Sequence, residues 1–218
     1  MKTILTTVVG SQAHGTTGPN SDTDTRSIYV LPTSEIVGIG KYNKFIENKE
    51  TDDNSWEIAQ FLYLGLRANP SVLEVLITEP ILTSSLGEEL RELFPAFLCR
   101  RHVYNAFKGF AEGQRKKIVS PLTTSLRKPK SASHYLRVLF NGIELLNTGS
   151  FTVKISDTEI GPAVIAAKKD QMLFEEVLQL GDDLLIKLNK AYEVSSLQLE
   201  PNKDIINDYL LKVRKEYW

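Results

Sequence analysis

Asp22 and Asp24 stand one residue apart at the start of an apolar run, within "VVGSQAHGTTGPNSDTDTRSIYV", residues 8 to 30. In an extended segment side chains alternate, so both carboxylates point one way and Thr23 the other. Two carboxylates side by side repel and raise each other's pKa unless a cation lies between them. A divalent ion removes that conflict, and Mg²⁺, or Mn²⁺ in its place, prefers carboxylate and phosphate oxygens. Nucleotidyl transfer by two metals needs this arrangement: one ion favours the attacking hydroxyl's oxyanion, the other holds the triphosphate and the departing pyrophosphate. The simpler reading is a solvated turn in which Ser21 and Asp22 cap the strand. Gly10 and Ser11 shift the balance toward chemistry. A glycine lets backbone approach a ligand without a Cβ, and Ser11 offers a hydroxyl and an N–H at a turn or helix start, where free amides favour an anion.

A strand, Gly-Ser, ten intervening residues and Asp-x-Asp on the next strand resemble the signature of the DNA polymerase β-like nucleotidyltransferases. Within that superfamily the chain is similar to the predicted nucleotidyltransferases of bacteria and phages. The similarity runs on through "WEIAQFLYLGLRANPSVLEVL" and into "KSASHYLRVLFNGIELLNTG", covering most of residues 5 to 150. The resemblance implies that Gly10 and Ser11 hold a triphosphate and that Asp22 and Asp24 are metal ligands. It also implies a third carboxylate from a later strand, which activates the incoming hydroxyl. "ETDDNSWEI" offers Asp52, Asp53 and Glu57 for that place; on an extended strand Asp53 and Glu57 share a face and Asp52 opposes them. Asp53 is taken as the third catalytic and metal-binding residue, with Asp52 or Glu57 as alternatives. A first-turn charge at a helix start is the competing role for Asp52 or Asp53.

His14 falls where related minimal nucleotidyltransferases carry a basic residue, so it either donates to a γ-phosphate or caps a helix. Lys130, His134, Arg137 and Glu144 are spaced by four, three and seven and align on one helix face. The same Lys, His and Arg occur in the resemblance, which implies nucleotide binding by Lys130, His134 and Arg137. Asn69 and Glu74 match as well, but a helix stop followed by an anchoring segment explains them.

The elements that must position these groups come from one chain of 218 residues, 42% hydrophobic and 24% charged, enough for one sizeable core or two small ones. Strands are expected over residues 3–9 and 23–30, with a third within "YNKFIENKE". A helical stripe runs through Ile58, Phe61, Leu62 and Leu66, and "SSLGEELRELFP" reads as a capping box from Ser85 to Glu88. Helices are expected near 102–117, 131–147, 170–193 and 203–216, with a strand pair or turn around "GSFTVKISDTEIG". The fold class is α+β: a small mixed-sheet core at 1–98, then a mainly helical region at 99–218 that completes the nucleotide and acceptor cleft. The loop "KIVSPLTTSLRKPKSAS" is the expected hinge.

The net charge of −1 hides a segregation: residues 100 to 137 hold ten Lys or Arg against Glu112 alone, a charge of +9, and the remainder carries −10. A solvated helix face accounts for such a run, as does a surface that meets RNA phosphates. One cysteine, Cys99, excludes a disulfide framework, and three scattered histidines leave no zinc-ligand spacing. No Gly-x₄-Gly-Lys-Ser/Thr is present, which excludes a P-loop NTPase. No signal-peptide core or run approaching ~20 apolar residues occurs, so a cytoplasmic chain without membrane partners is expected. The expected activity is metal-dependent transfer of an NMP from an NTP to a hydroxyl of an RNA end, a protein or a small molecule. The alternative is a catalytically impaired nucleotide-binding module that regulates a toxin–antitoxin or defence system.

Overall fold

The β-branched run at the N-terminus forms β1, Lys2–Val9, and one turn of helix, α1 (Gly10–Ala13), carries the chain out of the sheet. β2, Asp24–Val30, returns antiparallel to β1, with Val9 opposite Asp24 and Leu5 opposite Ile28. The computed structural model describes residues 1–18, 21–48, 53–125 and 127–218. A short helix, α2 (Thr33–Val37), precedes β3 (Phe45–Asn48), which pairs antiparallel with β4 (Asp53–Glu57). β4 lies parallel to β2, with Arg26 opposite Asn54. The helices α3 (Ile58–Gly65) and α4 (Pro70–Ile77) follow, and β5 (Pro80–Thr83) closes a five-stranded mixed sheet of order β3-β4-β2-β1-β5. Then come α5 (Ser85–Glu92) and α6 (Phe94–Phe97).

The chain divides into two compact units. The first comprises Met1–Ala13, Thr17–Leu98 and Pro201–Trp218. Its sheet packs against α3, α4 and α5, burying Leu5, Ile28, Ile58, Phe61, Leu73 and Leu90 without exposure. α3 buries one stripe, Ile58, Phe61, Leu62 and Gly65, while α4 is buried nearly all round, from Val72 to Leu76, and tertiary packing of this kind is what holds helices of eight residues. Asn69 caps α4 by accepting from the Ser71 and Val72 N–H groups at 3.0 and 3.4 Å, followed by Pro70 at the first helical position.

The second unit comprises His14–Thr16 and Cys99–Glu200. It contains α7 (Arg100–Val119), α8 (Lys128–Thr148), α9 (Gly161–Lys168) and α10 (Phe174–Val194). α8 is its central element: Leu136, Leu139, Leu145 and Leu146 are fully buried, and α7, α9 and α10 all pack on it. α8 and α10 meet at Gly181, where a Cβ would fall inside the Tyr135 ring. Thr16 enters this unit by accepting from the Lys168 ammonium at 2.7 Å through its carbonyl.

The last helix, α11 (Lys203–Glu216), belongs to the first unit rather than to the helical one. Asn202 N–H donates to the Ala96 carbonyl at 2.8 Å, and the Tyr209 hydroxyl donates to the Leu86 carbonyl at 2.8 Å. Burial holds the Tyr209 phenol well above its ordinary pKa. Arg214 reaches Glu57 at 2.7 Å, where Glu57 is wholly buried and also accepts from Ala59 N–H as the cap of α3.

Several local expectations change. The helical stripe does begin at Ile58, but the residues just before it, Trp56 and Glu57, are strand and pair with β2. The cap of α5 is Ser84, which accepts from Gly87 N–H, and Ser85 is the first helical residue. "NPSVLEVL" is a helix in its own right. Around residues 149–161, of the two expected forms, a strand pair or a turn, the chain takes the turn, a 3₁₀ helix at Ile155–Asp157. The expected hinge at 117–133 lies inside the helical unit, joining α7 to α8. Among the described residues no helix is long and apolar enough to cross a membrane.

Candidate functional site

The site is built where β1 ends and β2 begins. Val9 and Asp24 form the last rung of the ladder, so Gly10 turns out of the sheet beside the Asp24 carboxylate. Gly10 has φ +68°, and a Cβ there would strike Asp24 Oδ2. Glycine is therefore required twice, by conformation and by contact. Gln12 of α1 donates to the Thr23 hydroxyl at 2.6 Å, tying the turn to the residue between the two aspartates. Asp22 is exposed and precedes β2, while Asp24 opens it half-buried. The Ser21 hydroxyl, just before them, accepts from Gly18 N–H at 2.8 Å.

Substituting Gly10 with Ala is expected to cost about 1–2 kcal/mol for the left-handed backbone alone, with NTP affinity falling as Asp24 is pushed aside. Thermal unfolding and nucleotide titration check this. Unchanged affinity in the Ala variant would separate Gly10 from the site.

Asp53 sits at the same end of the sheet, on the neighbouring parallel strand. Thr25 donates through its hydroxyl to Asp53 Oδ1, so Asp53 shares a face with Thr25 and Ser27. Alternation turns Asp24 to the other face, with Arg26 and Asn54. The structure thus brings Asp22, Asp24, Gly10 and Ser11 to one strand end and sets Asp53 beside them but facing away. Asp52 lies outside the described residues. Glu57 is engaged in the fold, buried between the α3 cap and Arg214, and is withdrawn as a candidate ligand. Among the described residues no three His, Cys, Asp or Glu side chains gather as a metal cluster. The Asp22 and Asp24 carboxylates offer hard oxygens, which suit Mg²⁺ or Mn²⁺ and not a soft ion.

Arg26 was not foreseen. It follows Asp24 by two residues on the same strand face, and its guanidinium donates to the Thr25 carbonyl at 2.7 Å. The period-two pattern Asp-x-Asp-x-Arg was the available signal.

The remaining predicted residues lie in the helical unit. His14 is 5% exposed, and its carbonyl accepts from Ser156 N–H at 3.2 Å. Lys130, His134 and Arg137 follow one face of α8, exposed at Lys130 and half-buried at the other two. Asn141 continues that face one turn further and is 1% exposed, with an Oδ1 that has no hydrogen-bond partner among the described residues. Glu144 leaves the series, because its carboxylate accepts from Thr152 N–H at 2.6 Å and from the Thr152 hydroxyl at 2.8 Å, fastening the loop after α8.

Two comparisons bear on this arrangement. The family model described as the RNA repair pathway DNA polymerase beta family matches residues 1–210. An uncharacterised protein of Methanocaldococcus jannaschii is 25% identical over 220 residues, which covers 92% of this chain and 88% of its relative.

Proposed function

The chain belongs to the RNA repair pathway DNA polymerase beta family, and on that premise we propose that it transfers an NMP from an NTP to a hydroxyl of RNA, releasing pyrophosphate. The observation that carries the reading is the seating of Asp24 Oδ2 against the bare Cα of Gly10, which joins the two halves of the motif at one strand end. Gly10 and Ser11 take the triphosphate, with backbone approach and a hydroxyl donor. Asp22 and Asp24 hold the divalent ion. When bound, that ion lowers the pKa of the attacking hydroxyl and offsets charge on the leaving pyrophosphate. The acceptor oxygen bonds to the α-phosphorus as the bond to the β-phosphate oxygen breaks, and the acceptor proton passes to a carboxylate. Asp53 or Asp52 is the candidate for that third carboxylate, Asp53 only on release from the Thr25 hydroxyl that holds it on the opposite face from Asp24; Lys130, His134 and Arg137 are the candidate donors to phosphate or base, and His14 to the γ-phosphate. The test is incubation with each labelled NTP, Mg²⁺ or Mn²⁺, and RNA or protein acceptors.

An RNA acceptor is supported by the run from Arg100 to Arg137. Affinity for a generic RNA is expected to fall with salt by roughly 0.7 to 0.9 in log–log slope per phosphate neutralised. Changing Arg115, Lys116 and Lys117 to Gln should lower that slope by about two, since Arg115 is already 3.6 Å from Asp182 while both lysines are exposed. NTP affinity should hardly move. Joint loss of NTP and RNA affinity would assign the run to the triphosphate.

A second reading, a nucleotide-binding module without turnover, draws on Asp53, whose carboxylate Thr25 already engages. Asp52→Asn and Asp53→Asn separate the two. One of them should abolish turnover and retain NTP binding, whereas full activity in both would remove the third carboxylate from this strand.

A further inference from the structure

On the helical unit, Tyr104 of α7 and Tyr192 of α10 stack with ring centroids 4.5 Å apart and planes 31° apart. Both rings are half-exposed. Each carries a cation over it: Arg100 lies 6.0 Å from the Tyr192 centroid and Lys108 5.2 Å from that of Tyr104. Lys108 also donates to the Tyr104 hydroxyl at 3.0 Å, which in turn donates to Asn189 Oδ1 at 2.8 Å. That hydroxyl holds the Lys108 ammonium above the ordinary lysine range. The neighbouring Arg101 is neutralised by Glu200 at 2.8 Å, but Arg100 and Lys108 form no ion pair with a carboxylate among the described residues.

Packing alone does not ask for this grouping. Tyr104 is fixed by a hydrogen bond at its outer tip, so its ring is held in place at the surface instead of being drawn into the core. Two rings stacked on each other and flanked by two cations, of which Lys108 also feels the Glu112 carboxylate, match what a single strand of nucleic acid presents, bases to stack on an outer ring face and phosphates to neutralise. Arg100 and Lys108 both belong to the segment that carries +9.

We propose that Tyr104 and Tyr192 form a stacking platform for a base of single-stranded RNA, with Arg100 and Lys108 meeting the phosphates on either side. The inference rests on the RNA acceptor reading and adds the form in which the acceptor is held: unpaired, with a base turned onto the tyrosines. Such contact is tolerant of sequence, because every base offers a π-face.

The experiment measures affinity of the full chain for a short labelled oligoadenylate and for the same strand with abasic sites. The unmodified protein should favour the base-bearing strand by roughly ten-fold, within the range of base–aromatic stacking. Tyr104→Leu and Tyr192→Leu should abolish that preference, while Tyr104→Phe retains most of it. If either Leu variant fails to fold, the abasic comparison on the unmodified protein still decides, and Lys108→Gln should weaken both strands alike. Equal affinity for the two strands, or a preference that survives both Leu changes, overturns the platform and leaves the RNA acceptor standing. Failure to bind any RNA at physiological salt overturns platform and RNA acceptor together. NMP transfer to a protein or small-molecule hydroxyl would then show the nucleotidyl transfer itself to be intact.

Discussion

The Asp22→Asn, Asp24→Asn double variant is expected to lose nucleotidyl transfer by roughly a thousand-fold or more, the several kcal/mol of transition-state charge stabilisation that metal ligands supply. Fold and stability should stay level, or rise, because Asn removes like charge from two positions one residue apart. Asp22 is exposed and Asp24 half-buried at the mouth of the sheet, so neither change leaves a cavity. The variant should also keep its affinity for RNA, since the basic segment lies elsewhere in the sequence. Transfer at the unmodified rate would sink the metal assignment, and a cooperative loss of structure would show the aspartates to be part of the fold.

Replacing Arg214 with Met is expected to destabilise the first unit by about 3–5 kcal/mol, the usual cost of leaving one partner of a buried pair uncompensated. Glu57 has no exposed surface, and Arg214 contacts it at 2.7 Å with a side chain 13% exposed. The pair matters beyond its charge because Glu57 caps α3 and ends β4, the strand that carries Asp53. Thr33 adds two bonds to the same region, donating through its hydroxyl to the Arg214 carbonyl at 2.6 Å and through N–H to the Tyr217 carbonyl at 2.7 Å. The double variant Glu57→Gln, Arg214→Met should recover much of the loss, since removing both charges also removes the burial penalty. Urea unfolding of the two single variants and the double variant measures the coupling. A loss below about 1 kcal/mol in Arg214→Met would place the pair among weak surface bridges.

Local pattern was sufficient wherever one short segment sets its own environment. The β-branched run, the Gly-Ser turn and the alternation of Asp22 with Asp24 lie within thirty residues, and their geometry follows from side-chain period and glycine's conformational freedom. The long helices were legible for the same reason: α11 spans Lys203–Glu216, the range that its apolar period marks. Shorter pieces were not. Trp56 and Glu57 read equally well as a helix start, and only pairing with β2 makes them strand, because a short apolar run takes its form from its neighbours.

From the sequence alone followed the α+β class, the glycine beside the aspartates and the segregation of positive charge. Tertiary structure alone decided three matters. It turned Asp53 toward Thr25 instead of toward Asp24, because register between parallel strands fixes which face each side chain takes. It withdrew Glu57 from the site by pairing it with a residue 157 positions further along the chain, Arg214. It also brought Tyr104 and Tyr192 into one stack. Contacts between residues so far apart depend on how helices and strands pack, and no local period of side chains records that packing.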